Sequence, residues 1–491
     1  MLDLQLVSPI LGYTFLSIFI VAYVIVTTLV ARLLGRATVE SFLVANRKVP
    51  WWVAGPSIAA GWTQAIALMI SVQTSYENGF AGIFWFTVPN VIAVLVFIWL
   101  GPKIREKIPD GYSLPEWMFV RFSDARVTLL YIFVYFYYQV MTCAVQIYAG
   151  GSLLSAATGI SPYILMPLVL AMTLLYCIVS GLQASLVTDF IQLSGLLLVG
   201  GSVVTLVVAA SGGEMKFDGV TSVGGLNPFD YRIALTAGVI QSIGLVSGAI
   251  GDQPFWQRCF AVRRHQIRRS FIFGALLFAV IPIGLAFLGF TAAAPKVGLV
   301  LPADFDRSLV GFAIVKHLLA PGVATLFIFL LLAALCSSLD SALVASSSLY
   351  KLVRTQPWLL GRAEENFSVV EGRIAMVAVG LIGLLIGLLV KAVPSLDLKY
   401  LWWFLNTIGA CVVVPTVLSL FWNRLSASGI MLGSVTGLVV GLPLVVYASV
   451  NGYNFLLAGT YFGVLLVSLL SCYFTAVPFQ PQKRLTTARQ A

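Results

Sequence analysis

The chain has 491 residues, 59% of them hydrophobic and 10% charged, with a mean hydropathy of +0.98. That composition excludes a soluble globular protein. The net charge of +10 needs no nucleic-acid partner, because basic loops facing anionic headgroups account for it.

A bilayer core requires about 20 apolar residues per spanning helix. The sequence offers such runs repeatedly, separated by short polar links that gather nearly all the charge, and it shows no β-barrel alternation. The expectation is an all-α integral membrane protein with about thirteen transmembrane helices, near 9–34, 50–75, 80–101, 126–158, 161–180, 184–210, 233–257, 268–293, 320–352, 370–392, 399–423, 427–449 and 454–476. These are numbered spans 1 to 13. Span 1 reads as a retained anchor, since Asp3 precedes it, no basic n-region exists and no small-residue cleavage site follows.

Placing the N-terminus outside puts 22 of the 29 Lys and Arg on the cytoplasmic side, including "KIREK" at 103–107 and "RRHQIRR" at 263–269. This asymmetry fits the positive-inside rule, so a multi-pass protein of the cell (inner or plasma) membrane with a cytoplasmic C-terminus is expected. The six cysteines, at 143, 177, 259, 336, 411 and 472, have no CxxC spacing and read as small apolar fillers. His265 and His317 have no partner motif for a zinc site.

A short tail, 477–491, and loops of about 20 residues leave no room for a separate soluble domain, so 1–491 reads as one transmembrane transporter domain. Span 2, in "PWWVAGPSIAAGWTQAIALMISVQTSYENG", carries Gly55, Pro56 and Gly61. Span 7, in "TAGVIQSIGLVSGAIGDQPFWQR", carries Gly238, Gly244, Gly248, Gly251 and Pro254. Glycine and proline weaken the backbone ladder, and freed carbonyls are tolerated at membrane depth only where they line a site, so both spans are expected to be broken.

The two lie five spans apart. Five is odd, so a unit of five spans is followed by its counterpart in the opposite orientation, the pattern of an inverted repeat. The halves are 50–210 and 233–423, with an extra span at 9–34 and two peripheral spans at 427–476. Close helix packing suffices for the glycines of "GLLIGLL" and "GSVTGLVVG".

Span 9 contains "ALCSSLDSALVASSS" at 334–348. On a helix Ala334, Ser337, Ser338 and Ser341 share an arc of about 100°, with Asp340 beside Ser337. An ionised carboxylate at membrane depth needs a partner, and span 9 offers Asp340 no lysine or arginine of its own. Hydroxyl, carbonyl and carboxylate oxygens without thiolate or imidazole suit an alkali cation. Carbonyls freed at the break of span 2 would complete a sodium site between two helices. Asp189, a second buried acid in the first turns of span 6, has a helix N-terminal charge as its plain structural role.

At these residues the sequence resembles the sodium solute symporter family, which includes proline, glucose, pantothenate and urea carriers. The resemblance covers roughly 10 to 425 and rests on "ESFLVANRKVPWW", "SLPEWMFVRF", "GLQASLVTDFIQ", "GDQPFWQR", "AALCSSLDSALVASSS" and "LFWNR" taken together. It implies the leucine-transporter-like fold, an inverted five-helix repeat whose first helix is broken in each half. It implies a first sodium site at Ala59, Trp62, Ala334, Ser337 and Ser338, and a possible second one at Asp189, Ser337, Asp340 and Ser341.

Asp340 replaces a hydroxyl seen in many members, Gly61 stands where several relatives place a polar or acidic side chain, and Gly248 lies near the position of an aromatic gate in sugar carriers. "GWTQAIALMISVQTSYENGFAGIFWF" resembles the urea-carrier branch, so a small polar solute such as urea or an amino acid is favoured over a sugar. Solute-contact candidates are Thr63, Gln64, Gln241, Ser242, Trp403 and Asn406.

The expected function is sodium-coupled symport of a small organic solute by alternating access, with Na+ as coupling ion and no organic cofactor. A proton-coupled carrier and a membrane sensor on a transporter scaffold are the alternatives. An enzyme is not expected, since no nucleophile with its base, metal cluster or phosphate loop can be assembled.

Overall fold

Helix breakers decide where this chain turns. In the computed structural model, which describes residues 5, 7–34, 37–223, 225–355, 367–393 and 398–478, helices occupy all thirteen expected segments, and ten of them are long and apolar enough to cross a membrane. Among the described residues the β contact is one isolated parallel bridge between Val49 and Val262.

Span 2 is divided into Trp51–Trp62 and a second helix beginning at Ala65. Span 7 is divided at Asp252, between Ile240–Gly251 and Gln253–Ala261. Both expected breaks are present. The bridge at Val49 and Val262 joins the start of the first half of span 2 to the end of the second half of span 7. Further along, Gly61 lies against Arg258, and the Trp62 ring stands edge-on to Phe255 at 5.1 Å. The two half-helices therefore run antiparallel, as oppositely oriented repeats require.

Two boundaries differ from expectation. No separate link divides spans 2 and 3: the helix Ala65–Leu95 turns back at Gly79, with φ 60° and ψ −142°, where a Cβ would meet the Phe217 carbonyl. Glycine is the residue that accepts this backbone. Similarly, Gly181 (φ 57°, ψ −132°) is the sole joint between Pro162–Ser180 and Leu182–Gly195, and its Cα packs on the backbone of Phe42.

Span 9, Pro321–Thr355, is buried at every residue from Ala334 to Leu349 and forms the axis of the bundle with span 4, Ala125–Thr158. Span 1, Pro9–Leu34, leaves most of its described surface exposed, as a lipid-facing helix should. The glycines of "GSVTGLVVG" do pack: Gly433 lies on Ser468, and Gly437 and Gly441 on Val464 of span 13. Gly251 of span 7 meets Gly409 of span 11, backbone against backbone.

A side chain at position 181 would clash with the Phe42 carbonyl, 2.5 Å from the ideal Cβ. Gly181→Ala is expected to destabilise the fold by roughly 1–3 kcal/mol, read as a lower melting temperature of the detergent-purified protein.

Candidate ion and solute site

The break in span 2 consists of Thr63 (φ −78°, ψ 75°) and Gln64 (φ −69°, ψ 151°). The Thr63 N–H and hydroxyl both return to the Ala59 carbonyl, at 2.9 and 2.7 Å, and the Gln64 N–H reaches the Trp62 carbonyl at 2.9 Å. The Gly61 carbonyl instead faces span 9, where the Ser338 hydroxyl donates to it at 3.3 Å. The same hydroxyl lies 3.5 Å from the Ala334 carbonyl.

Of the five residues expected at the first sodium site, Ser338 and Ala334 thus meet the last turn of the half-helix through Gly61. Ala59 and Trp62 belong to that same turn; the Ala59 carbonyl already accepts both Thr63 bonds, whereas the Trp62 carbonyl accepts from Gln64 N–H and keeps a second lone pair. Ser337 is turned the other way. Its hydroxyl donates to Asp189.

Asp189 lies two turns inside Leu182–Gly195, too deep to act as an N-terminal charge. One carboxylate oxygen accepts from Ser337; the other accepts from Ser57 of span 2 and from Arg258 Nη2 at 3.1 Å. The guanidinium also donates through Nε to Ser57 at 3.0 Å, through Nη2 to Ser341 at 2.9 Å and through Nη1 to the Pro254 carbonyl at 3.2 Å. Asp189 and Arg258 are 0% and 2% exposed, so this is a fully buried ion pair.

Asp340 is held differently. It accepts hydrogen bonds from Tyr176 at 2.8 Å, Ser185 at 2.9 Å, and Thr188 and Ser341 at 3.4 Å. Among the described residues no Lys or Arg lies within ion-pair distance of it. The four residues expected at a second sodium site are therefore joined in one network, with the guanidinium of Arg258 threaded through it.

The break of span 7 carries a third buried acid. Asp252 (φ −96°, ψ 116°) accepts from Gln139 Nε2 of span 4 at 3.2 Å. Of the expected solute contacts, Thr63 and Gln64 form the other break; the Gln64 carbonyl oxygen is buried without a partner. Ser242 donates back to the Gly238 carbonyl at 2.7 Å, and Gln241 is half-buried beside it. Both precede Asp252 by some three helical turns, about 15 Å, so they do not form part of the break of span 7. The side chains of Trp403 and Asn406 lie outside the described residues.

The sequence reading missed Arg258, Ser57, Ser185, Tyr176, Asp252 and Gln139. Arg258 stands inside "GDQPFWQR", one residue beyond the expected end of span 7, and was given no role there. The observed half-helix runs on to Ala261 and buries it.

The profile of the sodium:solute symporter family matches residues 42–437, most of the chain. The chain belongs to that family. Related members include a urea-proton symporter of Oryza sativa subsp. japonica, 24% identical over 84% of this chain and 61% of its own length. A probable urea active transporter of Schizosaccharomyces pombe is 22% identical over 82% and 64% respectively. A sodium/glucose cotransporter of Vibrio parahaemolyticus is 23% identical over 83% and 80%. This symporter-family chain therefore spans 61% and 64% of the length of the two urea relatives. Its fold matches that of a Na+-coupled sialic acid symporter in a substrate-bound outward-open state, with a TM-score of 0.75 at 20% identity, over 97% of this chain and 99% of that one.

Removing one partner of a buried pair strands the other charge, at a cost of about 3–5 kcal/mol, whereas removing both costs less. Asp189→Asn and Arg258→Met are each expected to lower the melting temperature strongly, and the double variant to recover part of the loss. A strictly additive double variant would show that the pair is not coupled.

Proposed function

We propose that this family member is a sodium-driven symporter of a small organic solute, facing alternately outward and inward. The observation that carries the reading is the Ser338 hydroxyl set between the Gly61 and Ala334 carbonyls, where an oxygen-only cradle spans the break of one helix and the body of another. Hard oxygen donors of this kind suit an alkali ion. Sodium at this crossing would tie span 2 to span 9.

The tie is felt further on. Ser337, the neighbouring residue, bonds Asp189, which bonds Ser57 and Arg258, so ion binding bears on spans 6 and 7 through side chains already in contact. A ligand moves such an equilibrium only by binding one state better than the other, and a site shared between two separable helices meets that condition. One charge moved through 100 mV is worth about 2.3 kcal/mol, enough for roughly 50-fold accumulation.

At the expected second site Arg258 supplies a tethered positive charge, which supports a coupling of one sodium per solute. An external N-terminus and a cytoplasmic C-terminus complete the reading. Proton coupling is the second reading, and the feature that favours it is Asp340, whose partners are hydroxyls alone.

Sodium binding can be read without knowing the solute. Purified protein is expected to gain thermal stability in sodium over potassium chloride, and Ser338→Ala to raise the half-maximal sodium concentration at least tenfold. In proteoliposomes, with urea as the first probe, uptake should persist when only the proton gradient is collapsed and stop when only the sodium gradient is. The reverse pattern would replace sodium by protons.

A further inference from the structure

One face of span 4 carries Tyr135, Gln139, Thr142 and Gln146, spaced by four, three and four residues as a helix face requires. Two contacts fix where it looks. The Tyr135 hydroxyl donates to the Ile250 carbonyl at 2.8 Å, and Gln139 Nε2 to Asp252 at 3.2 Å, so its first turns face the break of span 7. Leu153, farther along the same face, lines a small cavity with Leu68 and Met69 of span 2. Between these points the face passes both breaks.

Its polar atoms are largely without protein partners. Gln146 is fully buried with neither its amide oxygen nor its nitrogen bonded, and the Gln139 oxygen and the Thr142 hydroxyl are likewise unpartnered. At the break of span 2 the Gln64 oxygen and the Trp62 indole N–H are in the same condition. Native proteins satisfy nearly all buried polar groups, so these atoms, on the span 4 face and at the break of span 2, call for a polar partner that the protein itself does not supply.

The cluster also has a sign. Asp252 is 7% exposed, its side-chain partner is the neutral Gln139, and among the described residues no Lys or Arg lies within ion-pair distance. The nearby guanidinium on its own helix, Arg258, is spent on Asp189. A buried carboxylate without a cation is costly unless hydrogen-bonded, and it repels a second anion. Four of the cluster's unpartnered atoms are acceptors or hydroxyls and two are N–H donors, which asks the ligand mainly for donors, plus a carbonyl-like acceptor for Trp62 and Gln146.

We propose that Asp252 selects the transported solute, and that this solute is a small nitrogen compound rich in N–H donors with no net negative charge, of the amide, urea or amidinium class. The Asp252 carboxylate accepts N–H groups, the Gln139 and Gln64 oxygens accept more, and the Trp62 and Gln146 N–H groups meet an acceptor on the solute. Carboxylate anions are repelled by Asp252. Sugars, whose hydroxyls would have to serve as both donors and acceptors, fit the inventory less well. This inference rests on the symport reading for why a solute binds there, not for which solute binds.

The test is ligand binding to the purified full chain, by thermal shift and calorimetry, against urea, acetamide, guanidinium, glucose and pyruvate, each in sodium and in potassium chloride. At least one of the nitrogen compounds is expected to bind, and glucose and pyruvate not to. Asp252→Asn is expected to weaken that binding at least tenfold while sodium alone still stabilises the variant, which shows that it is folded. Asp252→Glu should keep the preference for nitrogen compounds over pyruvate. Unchanged affinity in Asp252→Asn, preference for glucose or pyruvate, or binding of none of the five overturns the proposal. Loss of the sodium response in the unaltered protein, with nitrogen-compound binding and its dependence on Asp252 retained in potassium, overturns the symport reading instead.

Discussion

A carboxylate carried into a membrane must be matched, and the way Asp189 is matched organises the centre of this protein. Four elements converge on it: span 6 supplies the acid, span 7 the guanidinium, span 2 Ser57 and span 9 Ser337. Each side chain would be a liability alone. Together they exchange nearly all of their hydrogen-bonding capacity, and that fixes the relative positions of the two broken helices and the central span.

This arrangement explains why the proposed sodium crossing and the network are adjacent rather than merged. Successive residues on a helix point about 100° apart. Ser337 serves the charged network while Ser338 serves the Gly61 carbonyl, so one turn of span 9 addresses the end of a broken helix on one side and an ion pair on the other. Neither can shift without disturbing the other.

Much of the fold was legible because membrane solvent leaves few options. Apolar length placed the spans, and the concentration of Gly and Pro in spans 2 and 7 located both breaks, since a lipid-exposed gap in the ladder is not tolerated. The serine face of span 9 followed from helical period alone. What escaped were partners set by tertiary contact. Arg258 fell just past the expected end of span 7, because hydropathy cannot show that Gln253–Ala261 stays buried. Asp252 was hidden among glycines, and the polar face of span 4, though helical in spacing, holds few residues in a helix that is apolar on most sides. Gln241 and Ser242 drew attention as polar residues in span 7, but chain position did not disclose how far they stand from the break.

The contact of Gly251 with Gly409 has a mechanical meaning. Where two helices meet through side chains, sliding requires knobs to leave their holes one after another. Here the meeting surface beside the hinge of span 7 is bare peptide, smooth on the scale of a methyl group. Under the proposed alternating access, span 11 glides past that break with little rotamer friction at this contact, a bearing built by omission.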